Sequence, residues 1–192
     1  MNIYPALYDR FMLHLERRIL LKLRTELFAK IPNGSRLLEI GAGTGVNFQF
    51  HNVAKLSVAT DLSFEMLSKA TDKTEFTTLV QADAHKLPFS ENAFDVAIAT
   101  LVFCSIKNPI DALNELARVL TPNSPILLIE HVRPSGLLGF LFDVVNRPLV
   151  VIFSENICMN TETLIRYSQI RIENVSIYAK GILKVFECRT AS

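Results

Sequence analysis

The 192-residue sequence lacks most of the features that would tie it to a partner or compartment by simple means. It has only three cysteines, Cys104, Cys158 and Cys188. An odd, widely spaced set argues against a disulfide framework and a metal-binding knuckle, and points to a reducing, cytoplasmic compartment. Charge of one sign is not in excess: 20 Lys and Arg stand against 19 Asp and Glu, a net charge of +1. No general basic field is available to nucleic acid. No apolar run is unbroken enough to span a membrane, because Asp143, Asn146, Arg147 and Pro148 interrupt the one at 136–153. Asp9, Arg10 and Glu16 lie inside the first apolar pattern, which excludes a signal peptide. No repeat, low-complexity tract or linker divides the chain, so a single domain is expected.

Apolar residues are abundant, at 49% against 20% charged, as in a globular chain. From Ile3 to Ile31 they recur every fourth position (Leu7, Phe11, Leu15, Ile19, Leu23, Leu27), predicting a long amphipathic helix, straight or bent, that Pro32-Asn33-Gly34 stops. Its polar face holds Arg10, Arg17, Arg18, Lys22, Arg24 and Lys30 against Asp9, Glu16 and Glu26. That excess of positive charge is read as a solvated face, with an anionic membrane surface as the alternative.

After Gly34 the pattern becomes one of short apolar runs separated by helical stretches. Strands are expected at Arg36–Ile40, Leu56–Thr60, Phe76–Val80, Phe94–Ile98 and Ile126–Ile129. Helices are expected after Gly45, over Phe64–Ala70, and over Pro109–Leu120 with Asn108 as N-cap. Alternation of this kind predicts a parallel sheet covered on both faces. Thr161–Ser168 reads as a short helix. Ile172–Ala179 and Ile182–Arg189 read as an antiparallel hairpin turned by Lys180-Gly181. The fold class is therefore α/β: a Rossmann-like, doubly wound, seven-stranded and mostly parallel sheet with one antiparallel strand in its C-terminal hairpin.

The strongest chemical signal is Glu39-Ile-Gly41-Ala-Gly43-Thr-Gly45, between a strand and a helix. Glycines there let the backbone turn tightly and approach a ligand. Asp61 ends the second strand, where a carboxylate can take both hydroxyls of a ribose. The pair points to a nucleoside-bearing cofactor. Val46 occupies the last glycine position of the dinucleotide fingerprint, and Glu39 favours a cationic ligand over an anionic one. A sulfonium nucleoside with an α-amino group fits; a nicotinamide dinucleotide does not.

These residues, with Asp61-Leu62-Ser63 and Met66, Gln81-Ala-Asp83-Ala-His85-Lys-Leu-Pro-Phe89, Phe94-Asp95 and Ala112-Leu113…Glu115…Arg118-Val-Leu120, resemble the class I S-adenosylmethionine-dependent methyltransferases of the type 11-like branch. The resemblance covers about residues 35–132. It implies that Gly41, Ala42, Gly43 and Thr100 surround the methionine part of S-adenosyl-L-methionine, with Glu39 and Asn47 also binding the cofactor. Asp61 would take the ribose hydroxyls, Leu62 and Met66 would pack on the adenine, and Asp83, Ala84 and His85 would meet its edge. Pro122-Asn123-Ser124-Pro125 replaces the Pro-Gly-Gly common in relatives, at a turn away from the cofactor. Tyr8-Asp9, Glu130-His131-Val132 and Phe153…Cys158…Thr161 resemble small phospholipid N-methyltransferases and membrane-associated thiol methyltransferases.

Methyl transfer from a sulfonium is an in-line displacement, for which proximity, orientation and exclusion of water matter most. If the acceptor must lose a proton, His131 at the end of the fifth strand is the candidate base. Tyr8, Phe103 and His131 are the candidate substrate contacts, and Cys104 reads as a wall residue. His14 and His51 read as surface residues. The division expected is a helical lid (1–34), a cofactor core (35–132), a substrate-recognition cover (133–170) and the hairpin (171–192). A lipophilic small acceptor is favoured, phospholipid amine first, then a quinone ring, a thiol or another metabolite. No metal is expected, and peripheral contact with the inner membrane surface is an accompanying expectation. A catalytically silent cofactor-binding module is the competing class.

Overall fold

A computed structural model describes residues 19–133, Gly136 and residues 160–191. Among them, elements follow the order α1 (Leu21–Phe28), β1 (Arg36–Ile40), β2 (Leu56–Asp61), α2 (Phe64–Ala70), β3 (Thr77–Gln81), β4 (Val96–Thr100), α3 (Pro109–Val119), β5 (Pro125–His131), α4 (Thr161–Arg166), β6 (Ile170–Tyr178) and β7 (Leu183–Thr190). The seven strands form one sheet in the order β3-β2-β1-β4-β5-β7-β6. All neighbouring pairs from β3 to β5 are parallel, whereas β7 runs antiparallel to both β5 and β6. The expected α/β architecture, with one antiparallel strand, is therefore present.

Strands buried on both faces read as near-continuous apolar runs, and β4 (Val-Ala-Ile-Ala-Thr) is buried at all five positions. Alternate residues feed two cores. Leu38, Ile40, Ala97, Ala99, Ile126 and Leu128 pack against Ala112, Leu113 and Leu116 of α3 and Ile165 of α4. Leu37, Val96, Ile98, Leu127 and Ile129 pack against Leu23, Leu27 and Phe28 of α1. Helices thus cover both faces. Because β1 and β4 are neighbours while the chain leaves them in opposite directions, a crevice opens at their carboxyl ends.

Four expectations are corrected. The segment after Gly45 forms turns and a 3₁₀ stretch, Phe48–Val53, rather than an α-helix, because Asn47 and His51 are drawn inward onto polar strand residues. Asn108 makes no side-chain cap bond to α3, although Pro109 does open that helix. The hairpin joins Tyr178 to Leu183 through four residues, not two, with Ala179 and Gly181 at positive φ, because burial of Leu183 opposite His131 fixes the register. Arg24, expected on the solvated face of the first helix, is 5% exposed. It lies one and a quarter turns or less from Leu27 and Phe28, on the side that packs inward. The remainder of the long N-terminal helix, with Tyr8 and His14, lies outside the described residues, as do Phe153 and Cys158. Among the described residues no helix is long and apolar enough to cross a membrane.

Candidate active site

Every strand of the parallel half delivers its carboxyl end to the same crevice. The turn after β1 is tight: Gly41 has φ +65°, and a Cβ there would land on the side chain of Val102, just beyond β4. Gly43 is also at positive φ, but a Cβ built on it meets nothing within 4 Å. The turn therefore packs its first glycine on its own chain and leaves open space beside its second. That open cradle is what close approach of a ligand requires.

Asp61 closes the turn onto β2. Its Oδ2 accepts the backbone N–H of Gly43 at 2.8 Å, and its Oδ1 accepts that of Ser63 at 2.8 Å. Burial raises the carboxyl above its ordinary value, outweighing the backbone N–H groups of Ser63, Gly43 and Leu62 that lower it. Each oxygen keeps acceptor capacity for a ribose hydroxyl. Beside it Leu62 is 68% exposed, an uncovered apolar side chain suited to an adenine face. Met66 is nearly buried in the first turn of α2, which Ser63 caps by accepting its N–H at 3.3 Å. On the next strand end, Asp83 accepts from the backbone N–H and the ring Nδ1 of His85, at 2.9 and 2.6 Å. These bonds lower the Asp83 carboxyl. Glu115 and Arg118 of α3 hold the loop that follows, through the N–H of Leu87 and the carbonyls of Leu87 and Phe89. Asp83, Ala84 and His85 are thereby set on a fixed turn.

The acidic residue at the head of the motif is not a free surface charge. Glu39 is 1% exposed; its Oε1 accepts from Asn47 Nδ2 at 2.5 Å, and its Oε2 lies 3.0 Å from His51 Nε2. Asn47 Nδ2 also donates to Thr100 Oγ1 at 3.0 Å. Two acceptors on one nitrogen fix the amide, and its carbonyl oxygen Oδ1 is left buried without a partner. An unfilled acceptor beside a buried carboxylate, an open glycine cradle and a carboxylate with spare lone pairs together fit a nucleoside carrying an α-ammonium group. Asn47 and Thr100 thus join Glu39, Gly41, Ala42 and Gly43 at one end, and Asp61, Leu62 and Met66 stand at the other.

His51 corrects the sequence reading most sharply. Expected at the surface, it is 1% exposed, with Nδ1 2.6 Å from Ser57 Oγ and 3.0 Å from Thr77 Oγ1. The signal that could have found it is the presence of Ser57 and Thr77 on the inward face of apolar strands.

Past β4 the crevice changes character. Leu101 takes φ +59°, and the N–H groups of Val102 and Phe103 both approach Glu130 Oε1 at 3.2 Å. Phe103 and Cys104 are buried. Glu130 is fully buried with Oε2 unpartnered, and burial pushes its carboxyl up to about 8. His131, next along β5, points to the opposite face, and burial takes its imidazole down to about 4. Both shifts favour the uncharged form of the group. Among the described residues no cluster of His, Cys, Asp and Glu could hold a metal ion.

Residues 38–128 match a methyltransferase domain family. The chain belongs to the class I S-adenosylmethionine-dependent methyltransferases. It is 31% identical over 154 residues to a thiol S-methyltransferase of Homo sapiens, covering 73% of this chain and 63% of that protein. It is 34% identical over 124 residues to a ubiquinone/menaquinone biosynthesis C-methyltransferase of Azotobacter vinelandii, covering 59% and 49%. A phosphatidylethanolamine N-methyltransferase of Cereibacter sphaeroides is 30% identical over 104 residues, covering 51% of each. The chain thus spans about half to two thirds of the length of these relatives. Among solved structures, an S-adenosylmethionine-dependent methyltransferase from Aquifex aeolicus superposes with a TM-score of 0.69 at 17% identity, covering 99% of this chain and all of the other. One from Mesorhizobium loti gives 0.68 at 18%, covering 86% and 96%. In this family the cofactor is S-adenosyl-L-methionine, which supplies a methyl group on a positively charged sulfur.

Proposed function

We propose that this methyltransferase transfers the methyl group of S-adenosyl-L-methionine directly to an acceptor that enters the site uncharged, a thiol first, on a small apolar molecule. The supporting observation is the pair of uncharged groups at the end of β5: Glu130 pushed up to about 8 and His131 down to about 4, beside buried Phe103 and Cys104. A thiol enters neutral and gives its proton to water. Its thiolate then forms the new S–C bond as the sulfonium C–S bond breaks. Opposite charges cancel in that step, and an edge of low polarity favours the change. An ammonium acceptor would find no counter-charge on Glu130, and His131 is a weak base. The match to a thiol S-methyltransferase supports the same reading.

This order departs from the phospholipid amine expected first from the sequence. That acceptor remains the second reading, supported by the 30% identity to a phosphatidylethanolamine N-methyltransferase. In either case residues 1–34 and 133–170, which flank the crevice in sequence, are proposed to supply the acceptor's walls.

The test is methyl transfer from S-adenosylmethionine to an alkyl thiol, to phosphatidylethanolamine vesicles and to a hydroquinone, read by product mass. Thiol methylation is expected. Transfer to the vesicles alone would replace the first reading by the second. Tight binding of S-adenosylhomocysteine with no transfer across the panel would favour the silent module.

A further inference from the structure

We infer that Glu130 is a positioning residue for the methyl donor: from β5 it holds the amides of Val102 and Phe103, and so keeps the Val102 side chain seated against the first glycine of the donor turn.

The chain turns sharply as it leaves β4. The N–H of Leu101 continues the ladder to β5, donating to the Ile129 carbonyl at 2.7 Å, and Leu101 then takes φ +59°. A short 3₁₀ turn, Phe103–Ser105, follows at once, and the residue at its head, Val102, offers no side-chain cap. The first N–H groups of such a turn have no partner within it. Here the partner comes from the neighbouring strand. Glu130 Oε1 accepts the N–H of Val102 and that of Phe103, both at 3.2 Å. One oxygen thus fixes two successive peptide units.

No ion pair draws that carboxyl elsewhere. Lys184 stands opposite Glu130 in the register, yet its ammonium meets Glu162 Oε2 at 3.1 Å. Glu130 is fully buried, and its Oε2 has no hydrogen-bond partner. A buried carboxyl is costly unless its bonds are useful ones. The bonds it makes are the two loop amides.

The loop so held reaches the donor turn. A Cβ added to Gly41 would collide with both γ-methyl groups of Val102, so the two residues are in contact. On its other side the turn is tied to β2 by hydrogen bonds, from the Ala42 N–H to the Thr60 carbonyl at 2.9 Å and from the Gly43 N–H to Asp61 Oδ2 at 2.8 Å. Toward β4, Gly41 rests on an apolar side chain instead. Glycine has the widest backbone freedom of any residue, so packing is what limits its movement in that direction. Phe103 is anchored in the core with Leu113 and Leu116 of α3, whereas Val102 is only partly buried. Release of the two amides therefore frees Val102 first, and Gly41 with it.

A double-mutant cycle on the affinity for S-adenosylhomocysteine, read by calorimetry, tests this. Glu130→Ala and Val102→Ala are each expected to weaken binding by about tenfold, and the double variant to be no more than about twofold weaker than Val102→Ala, because one acts through the other. Glu130→Gln keeps an oxygen for both amides and should bind within about twofold of the parent. Glu130→Asp keeps the acid but is one methylene shorter, and should be as weak as Glu130→Ala. Losses that multiply in the double variant would overturn the proposal, as would unchanged affinity in Val102→Ala or a Glu130→Gln as weak as Glu130→Ala. Should Glu130→Ala fail to fold, Glu130→Asp takes its place in the cycle. The inference rests on the glycine turn being the donor site, for which Asp61→Ala is the reference. If Asp61→Ala weakens binding and Glu130→Ala does not, the inference alone falls; if neither does, the site falls with it. Binding alone is read, so the outcome is independent of which acceptor the enzyme methylates.

Discussion

The N–H of Gly43 donates to Asp61 Oδ2 at 2.8 Å, so the glycine turn of β1 is fastened to the end of β2 before any ligand arrives. A ribose would meet a carboxylate already oriented by two backbone donors, Gly43 and Ser63. Asp61→Ala should therefore cost both a ligand contact and the fastening. Affinity for S-adenosylhomocysteine is expected to fall by about 1.5–3 kcal/mol, the range for a hydrogen bond to a charged group. Asp61→Asn should lose less. Burial holds the Asp61 carboxyl above its ordinary value, so binding should begin to weaken, as pH falls, sooner than an unperturbed aspartate would dictate. Calorimetry across an acid series checks both points, and an unchanged dissociation constant in Asp61→Ala would contradict the assignment.

Gly41 is constrained twice, by φ +65° and by Val102 where a Cβ would lie. Gly41→Ala is expected to destabilise the fold by roughly 1–3 kcal/mol from strain and overpacking. Adding Val102→Ala should recover the part due to crowding and leave the part due to backbone conformation. Urea denaturation of the single and double variants separates the two. A double variant no more stable than Gly41→Ala would mean that the side chain of Val102 is not the obstacle.

Stability should depend on pH through two neighbours that pull oppositely. Glu130 has a folded value near 8, above its ordinary 4.5. Its contribution is whole below pH 4.5 and is lost as pH rises through 8. His131 has a folded value near 4, below its ordinary 6.5. Its contribution is whole above pH 6.5 and is lost as pH falls through 4. From 4.5 to 6.5 the two slopes oppose each other. From 6.5 to 8 Glu130 acts alone, and stability should decline by up to about 1.4 kcal/mol per pH unit. Glu130→Gln should flatten that decline, as measured by urea unfolding at pH 6.5 and 8. The same slope in the variant would place the titrating group elsewhere.

An imidazole near 4 is a poor proton acceptor. Replacing His131 by Gln is therefore expected to reduce turnover by less than about tenfold, whereas loss of a true general base costs about 10²–10⁴. Single-turnover methylation of the preferred acceptor from the panel decides between these.

The meeting of Gly41, Gly43 and Asp61, the proposed nucleoside clasp, was legible in the sequence because they work through backbone geometry and strand ends, which spacing reveals. The seven-stranded α/β order was legible for the same reason: its apolar runs are short and separated by clear turns. His51 was not, since a histidine five residues past a glycine turn has no local periodicity to mark it as buried. Only the register of Ser57 against Thr77 makes its position necessary. Glu130 was equally hidden: its neutral state follows from complete burial against the Val102 and Phe103 amides, which come from another strand's loop. Glu39 was found, but its burial against Asn47 was not legible, because a carboxylate next to a ligand loop and one engaged by its own chain look identical in sequence.

The placement of β1 beside β4 has a further result. Apart from Thr100, every residue of the proposed nucleoside clasp comes from β1, β2, β3 and the segments that follow them, Met66 of α2 included, whereas the Glu130–His131 edge belongs to the other half of the sheet. The two halves meet along the β1–β4 seam. One side can therefore drift toward new acceptors while the other keeps a single methyl donor, so two chains can share their first half closely and still modify unlike molecules.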